Sequence, residues 1–184
     1  MKNEIRKNIL KKIESITESE FIEMNKKIFE NFLALSEYKN CWTLMSYVSF
    51  DREPETISII KDALSKAKSV CIPKIEWKNL SMVPVQIFNE DDIDFSQKIP
   101  QPLSDTVIKI EEIELIIVPG IAFDRNCNRL GRGKGFYDRF LSQCKNAIKV
   151  GLAFDIQIIE NVPTSEHDVP VDIIVTQSQI IRKC

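Results

Sequence analysis

The sequence predicts an α/β protein, a single three-layer α/β/α domain over residues 1–184 built on a mostly parallel sheet. Two observations predict it. Stretches with apolar residues at helical spacing alternate with short, nearly continuous apolar runs, and such runs are the mark of parallel strands covered on both faces. No internal repeat, low-complexity tract or linker breaks the alternation, and 184 residues suit one domain.

Taken in order, Ile5, Ile9, Ile13 and Ile16 share one face of an opening helix whose outer face is rich in lysine. Thr17-Glu18-Ser19-Glu20 has the form of a capping box and starts a second helix through Leu35, with Phe21, Met24, Ile28, Phe32 and Leu35 turned inward. Residues 41–48 read as a strand. Pro54 and Glu55 open a further helix, proline at its first position, with Ile57, Ile60 and Leu64 on the buried face. Residues 70–75 and 82–88 are short strands, and 89–109, acidic, proline-bearing and aperiodic, is a surface loop. Residues 113–118 form the clearest buried strand, ending at Pro119-Gly120, and 147–154 and 171–176 are the last two.

Composition removes several classes of function. A formal net charge of −2 gives no global field for nucleic acid or an anionic membrane, and no apolar run is long enough to cross a bilayer. The five cysteines form no C-x-x-C pair and have no histidine at zinc spacing. Their odd number, with no signal peptide, points to a reducing cytoplasm. The expectation is a soluble cytoplasmic monomer that handles small molecules, without nucleic acid or membrane.

The chemistry concentrates in Arg129-Leu130-Gly131-Arg132-Gly133-Lys134-Gly135-Phe136-Tyr137-Asp138-Arg139. Glycines let backbone N–H groups approach a ligand, a helix start offers unpaired donors, and Arg132 and Lys134 add full charges. This pattern predicts a phosphate cradle. It is neither a P-loop, since Lys134 is followed by glycine instead of a hydroxyl residue, nor a dinucleotide fingerprint. The competing reading is a solvated basic loop; the apolar residues Phe136, Phe140 and Leu141 argue for an anchored one. Asp138, in the first helical turn, is placed to take a metal accompanying the phosphates. Because ligands of parallel sheets bind at the strands' carboxyl ends, four polar segments are expected to converge there: 49–55, 120–132, 155–157 and 166–168.

These segments together resemble the 5-formyltetrahydrofolate cyclo-ligase (5,10-methenyltetrahydrofolate synthetase) family. The matching pieces are Lys2-x-x-x-Arg6, Tyr47-Val48-Ser49-Phe50 with Glu55-Thr56, and Ile72-Pro73-Lys74 followed by Met82. Val118 through Asp124, Arg129 through Asp138, Val150 through Asp155 with Gln157, and His167-Asp168-x-x-Val171-Asp172 complete the set. The resemblance covers nearly the whole chain, in order. It implies a NagB/RpiA/CoA-transferase-like fold and an ATP-dependent, Mg²⁺-assisted conversion of 5-formyltetrahydrofolate to 5,10-methenyltetrahydrofolate, ADP and phosphate.

Residue by residue, the resemblance implies that Lys2, Arg6, Arg129, Gly131, Arg132, Gly133, Lys134, Gly135, Phe136 and Tyr137 hold ATP. Lys134, Arg132 and Tyr137 are the expected catalytic residues. Arg132 through Phe136, with Phe50 and Glu55, face the folate, Glu55 taking the pterin's amine edge and Phe50 packing on its ring. Asp138 and Asp168 are the expected Mg²⁺ ligands. His167 is read as a neighbour that supports Asp168, with a general-acid role as the alternative. Two positions depart from the family's usual residues: Lys74 replaces an arginine, losing a bidentate contact, and Phe136 replaces the first of two tyrosines. The rival readings are a phosphosugar isomerase or CoA-transferase relative, which needs no ATP, and a non-catalytic nucleotide- or folate-binding module.

Overall fold

The computed structural model describes residues 1–184. The chain opens with α1 (Lys2–Glu14), α2 (Glu18–Ala34) and the short α3 (Ser36–Asn40). The boundary between the first two is set by local chemistry: the Thr17 hydroxyl accepts from Glu20 N–H, and the Glu20 carboxylate accepts from Thr17 N–H at 2.9 Å, the reciprocal pairing of a capping box. Strand β1 (Thr43–Ser46) follows, then α4 (Ile57–Ser65), β2 (Ser69–Glu76) and β3 (Ser81–Ile87).

The expected surface loop contains a small ladder of β4 (Ile93–Asp94) and β5 (Gln101–Pro102). Next come β6 (Leu115–Val118) and a hairpin of β7 (Ala122–Asp124) and β8 (Arg129–Leu130), then α5 (Phe136–Leu141). The chain closes with β9 (Ile148–Leu152), β10 (Ile158–Ile159), β11 (Ile173–Val175) and β12 (Ile180–Arg182). No helix is long and apolar enough to cross a membrane.

Seven strands form the main sheet in the order β12-β11-β9-β6-β1-β2-β3. The five central strands are parallel, and β3 and β12 close the edges antiparallel. Strand alternation explains why the central runs read as continuously apolar. Leu44, Leu115, Ile117, Val150 and Val175 point to one face, against Ile28, Phe32, Ile59 and Ile60 of α2 and α4. Met45, Ile116, Val118 and Ile174 point to the other, against Phe123, Phe140 and Leu141. The faces are covered unequally: α1 to α4 share the larger core, whereas α5, of six residues, is the one α-helix on the smaller side.

Several boundaries differ from the sequence expectation, each for a local reason. Pro54 and Glu55 lie outside α4. The segment 47–56 is instead tied into a loop: Thr56 Oγ1 donates to Tyr47 O at 2.7 Å, and the Tyr47 hydroxyl donates to Pro54 O at 2.8 Å. The buried face of α4 is Ile59, Ile60 and Ala63, with Ile57 and Leu64 at its margins. The β7–β8 hairpin, β10 and β12 escape periodicity because each strand has only two or three residues. The outer edge of β3 is covered where Gln86 N–H donates to Thr106 O and Ile108 N–H to Pro84 O, which blunts an edge open to pairing.

The C-terminal edge strand is held by Arg182, whose guanidinium forks onto the Glu37 carboxylate of α3. The Arg182 hydrogen bonds outweigh partial burial and hold the Glu37 carboxyl at about 2. A depressed carboxyl stabilises above its unfolded value, and that contribution disappears as pH falls through the folded one. Arg182→Met should therefore cost about 0.5–1 kcal/mol at pH 7, the range of a solvent-exposed pair with good geometry. The gap from wild type in urea melts should close as pH falls from 4.5 to 2; a gap that persists at pH 2 would assign the loss to packing instead of charge.

Candidate active site

A cavity of about 420 Å³ opens at the carboxyl ends of β1, β2 and β6. Its walls come chiefly from α1, the loop after β1, the end of β2, the turn after β6, and the run from β8 into α5, with Met82 of β3, Ile99-Pro100 and Asp168 added. The sheet topology builds it. Parallel strands release their chains on one side, so the loop carrying Phe50 and Glu53 meets the turn carrying Pro119 and Gly120.

The glycine run forms the polar wall. Gly133 has φ +103° and Gly135 has φ +70°, conformations that a side chain resists. A Cβ at Gly133 would also stand 3.3 Å from the Arg6 guanidinium. Arg6 Nε donates to Gly131 O at 2.8 Å, so α1 is docked directly on the loop. Gly135 is the N-cap of α5 and supplies no capping side chain. With a helix this short, the dipole is a minor attraction and the side-chain cations dominate.

Five cations, Lys2, Arg6, Arg129, Arg132 and Lys134, and three carboxylates, Glu53, Asp138 and Asp168, line the cavity. Each carboxylate has its own cation: Arg132 with Glu53 at 3.0 Å, Arg129 with Asp138 at 2.7 Å, and Lys2 with Asp168 at 2.6 Å. Arg6 and Lys134 have no carboxylate partner. One is docked on the glycine run and the other lies within it, so the polar wall has a net positive field within a partly desolvated space.

Much of the remaining lining is apolar and suited to a flat ring. Tyr47, Phe50, Pro73, Ile75, Met82 and Phe136 contribute to it. The Arg132 guanidinium lies 4.6 Å from the centroid of Phe50, joining the polar wall to the apolar lining.

The placement of the sequence-derived candidates is mixed. Lys2, Arg6, Phe50, Gly131, Arg132, Gly133, Lys134, Gly135, Phe136, Tyr137, Asp138 and Asp168 all reach the cavity. Arg129 reaches it too, but as a structural group: at 6% exposure it donates to Pro119 O at 3.0 Å and to Asp138, and its guanidinium lies against Tyr137. Tyr137 keeps its phenol neutral at ordinary pH. Burial, reinforced by the nearby Glu53 charge, drives its phenol well above the usual range.

Glu55 is not in the cavity wall. Its carboxylate accepts from Ser58 N–H at 2.9 Å, satisfying a free donor in the first turn of α4. The acid facing the cavity is Glu53, two residues earlier, which also accepts from Phe50 N–H. Burial raises the Glu53 carboxyl, opposed by Arg132 beside it. Spacing does not separate the two, because both precede the same helix and only the 47–56 loop decides which one turns inward. Trp77, Ile99 and Pro100 also line the cavity without a sequence signal, the last two in a segment with no periodicity.

His167 is exposed and outside the cavity wall, next in sequence to Asp168, which lines it. Gln157 is buried and serves as a brace, its amide donating to Gly120 O and Ile121 O. Lys74 pairs with Asp105, away from the cavity.

No cluster of three or more acidic, histidine or cysteine residues forms a cage for a metal. Asp138 and Asp168 both line the cavity, and their hard carboxylate oxygens are the donor type that Mg²⁺ takes, completed by phosphate and water. Asp138 Oδ1 accepts from Arg129 and Val169 N–H, and Asp168 Oδ2 accepts from Lys2 and Ser165. In each carboxylate the second oxygen has no protein donor. Burial works against the Asp168 anion, but Lys2 and Ser165 outweigh it and hold the carboxyl below its ordinary value.

The comparisons with known proteins agree with this architecture. The sequence profile of the 5-formyltetrahydrofolate cyclo-ligase family matches residues 1–177. The 5-formyltetrahydrofolate cyclo-ligase of Haemophilus influenzae is 31% identical over 183 residues, spanning 95% of this chain and 97% of its own. That of Mus musculus is 29% identical over 184 residues, spanning 93% and 91%. The NMR structure of Aquifex aeolicus 5,10-methenyltetrahydrofolate synthetase superposes with a TM-score of 0.87 at 31% identity, covering 98% of this chain and 92% of that one. The chain belongs to the 5-formyltetrahydrofolate cyclo-ligase family.

The Arg129–Asp138 pair yields a stability prediction. Asp138→Asn leaves a buried guanidinium without its counter-charge, and breaking one side of such a pair costs about 3–5 kcal/mol. An asparagine still accepts a hydrogen bond, so the urea melt should register the lower end of that range. An unchanged melt would mean that Asp138 merely decorates the first turn of α5.

Proposed function

We propose that this chain, like the family it belongs to, closes 5-formyltetrahydrofolate to 5,10-methenyltetrahydrofolate with consumption of ATP, and that the cavity lined by the glycine run is where it does so. The observation that carries this reading is the pair of cations without a carboxylate partner, Lys134 within the glycine run and Arg6 docked on it, in a cavity that also has a large apolar lining. A polyanion and a flat aromatic molecule are what such a cavity accepts together.

The formyl group on nitrogen is a poor electrophile with a poor leaving oxygen. Transfer of the γ-phosphoryl group of ATP to that oxygen leaves ADP and an iminium-like formyl phosphate. The anilino nitrogen attacks the formyl carbon, the ring closes, the C–O bond breaks with loss of phosphate, and the anilino proton departs. Catalysis of phosphoryl transfer rests on positioning and charge neutralisation. Lys2, Arg6 and the backbone of residues 131–135 bind the phosphates, and Lys134 meets the transferring group. Phe50 and Phe136 pack on the pterin, and Glu53, in the role that the resemblance gives to Glu55, accepts from its amine edge. Arg132 changes partner, leaving Glu53 as substrates enter. Tyr137 is a packing surface. When bound, Mg²⁺ would offset phosphate charge, held by the second oxygens of Asp138 and Asp168. The reading includes the cytoplasm as location and a monomeric state.

The test is direct: purified protein mixed with 5-formyltetrahydrofolate, ATP and magnesium should develop the methenyl absorbance, with each component required. No absorbance change with all present would overturn the reading.

Two sets of variants probe the assignment. Lys134→Met should lower turnover by about a hundredfold, the effect of removing one preorganised electrostatic partner, with an unchanged melt because the side chain is exposed. Wild-type turnover would remove Lys134 from the chemistry. Glu53→Gln should weaken folate affinity by about 1.5–3 kcal/mol, the value of a charge-assisted hydrogen bond. Glu55→Gln should leave it unchanged, and the opposite pattern in calorimetry would restore Glu55 to the pterin.

A further inference from the structure

The mouth of the cavity holds an aromatic that the proposed chemistry leaves without a task. Trp77 follows β2 directly and is 50% exposed although it lines the cavity. It extends the apolar wall of Pro73 and Ile75, alternate residues on one side of the same strand. Its ring meets Phe136 edge-on, at 88° with centroids 5.4 Å apart. The Lys134 ammonium lies 5.4 Å from the indole centroid, and that contact is its one partner in the protein.

The turn that carries Trp77 is anchored, not loose. Leu80 closes it in the left-handed region at φ +50°, and the Leu80 carbonyl accepts from Arg139 Nε at 2.9 Å. Arg139 also donates to Lys134 O at 2.7 Å, so one side chain staples the turn to the glycine run. Movement of the Lys134 side chain would therefore change what covers the indole without dismantling either segment.

We propose that Trp77 is the stacking platform for the flat aromatic part of the folate, and that Lys134 covers it until nucleotide phosphates draw the ammonium away. The proposal rests on the phosphate role of Lys134 in the proposed function. An exposed cation–π contact is weak beside a charge-assisted hydrogen bond to phosphate, so the nucleotide wins the lysine. Uncovering the indole then makes nucleotide and folate binding mutually favourable, and such coupling is reciprocal. Its size is bounded by the contact released, about two- to fivefold in affinity.

The chain has two tryptophans, and Trp42 sits before β1, at the opposite end of the sheet from the cavity. Trp42→Phe thus leaves Trp77 as the sole reporter. In that protein, acrylamide should quench the indole more readily once a non-hydrolysable ATP analogue is bound, with saturation established by calorimetry. The analogue should also tighten folate binding about two- to fivefold. Trp77→Ala should weaken folate binding about tenfold, with nucleotide affinity unchanged and Trp77→Phe recovering most of the loss. Normal nucleotide binding with unaltered quenching would overturn the withdrawal of Lys134 from the indole, and wild-type folate affinity in Trp77→Ala would overturn the platform while leaving the phosphate role of Lys134 intact. No nucleotide binding in the wild-type protein would overturn that role and the platform together.

Discussion

The geometry of the cavity depends on one buried ion pair. The Arg129 guanidinium reaches the turn after β6 through Pro119 O and α5 through Asp138, whose carboxylate also accepts from Val169 N–H. Three segments distant in sequence are thereby locked around a charge with almost no access to water. A buried charge that loses its partner is severely destabilising, so the segments are held as a set. The glycine run has freedom within itself, but both its ends are tied to this pair.

The same pairing of charges explains how a mildly acidic chain maintains a positively charged cavity wall. Carboxylates on the wall are each neutralised by a neighbouring cation, which leaves Arg6 and Lys134 to set the local field. Arg6 is supplied by α1, so the opening helix completes a site whose glycine run lies more than a hundred residues later. Glu53 is the strained member. Burial favours its neutral form, and the loop nonetheless keeps it facing the cavity beside Arg132. That arrangement costs stability at neutral pH and provides a carboxylate where a substrate donor can meet it.

Much of this architecture is legible in the order of the residues. The capping box at Thr17 and Glu20 is a local pattern, and it forms as its spacing requires. The parallel strands are visible because burial on both faces forces continuous apolar runs. The glycine run stands out through composition, and the resemblance brings Lys2, Arg6, Phe50 and Asp168 to the same place. Glu55 and His167 stand outside the cavity wall, and Arg129 and Tyr137 line it in surroundings that the sequence does not show. In each case the neighbourhood is set by the fold: a helix donor claims Glu55, burial keeps the Tyr137 phenol neutral, a carbonyl and a carboxylate engage Arg129, and solvent receives His167.

The sequence by itself determined what depends on near neighbours and on alternation: the α/β class, most helices and the longer strands of the main sheet, the glycine- and cation-rich character of residues 129–138, and the family. Tertiary structure decided which of two acids beside α4 faces the cavity, which cations are engaged in internal pairs, and where Trp77 stands relative to Lys134. The physical reason is range. Periodicity and capping act over a few residues along the chain, whereas ion pairing and desolvation act over a few ångströms in space, between residues that only the folded sheet brings together.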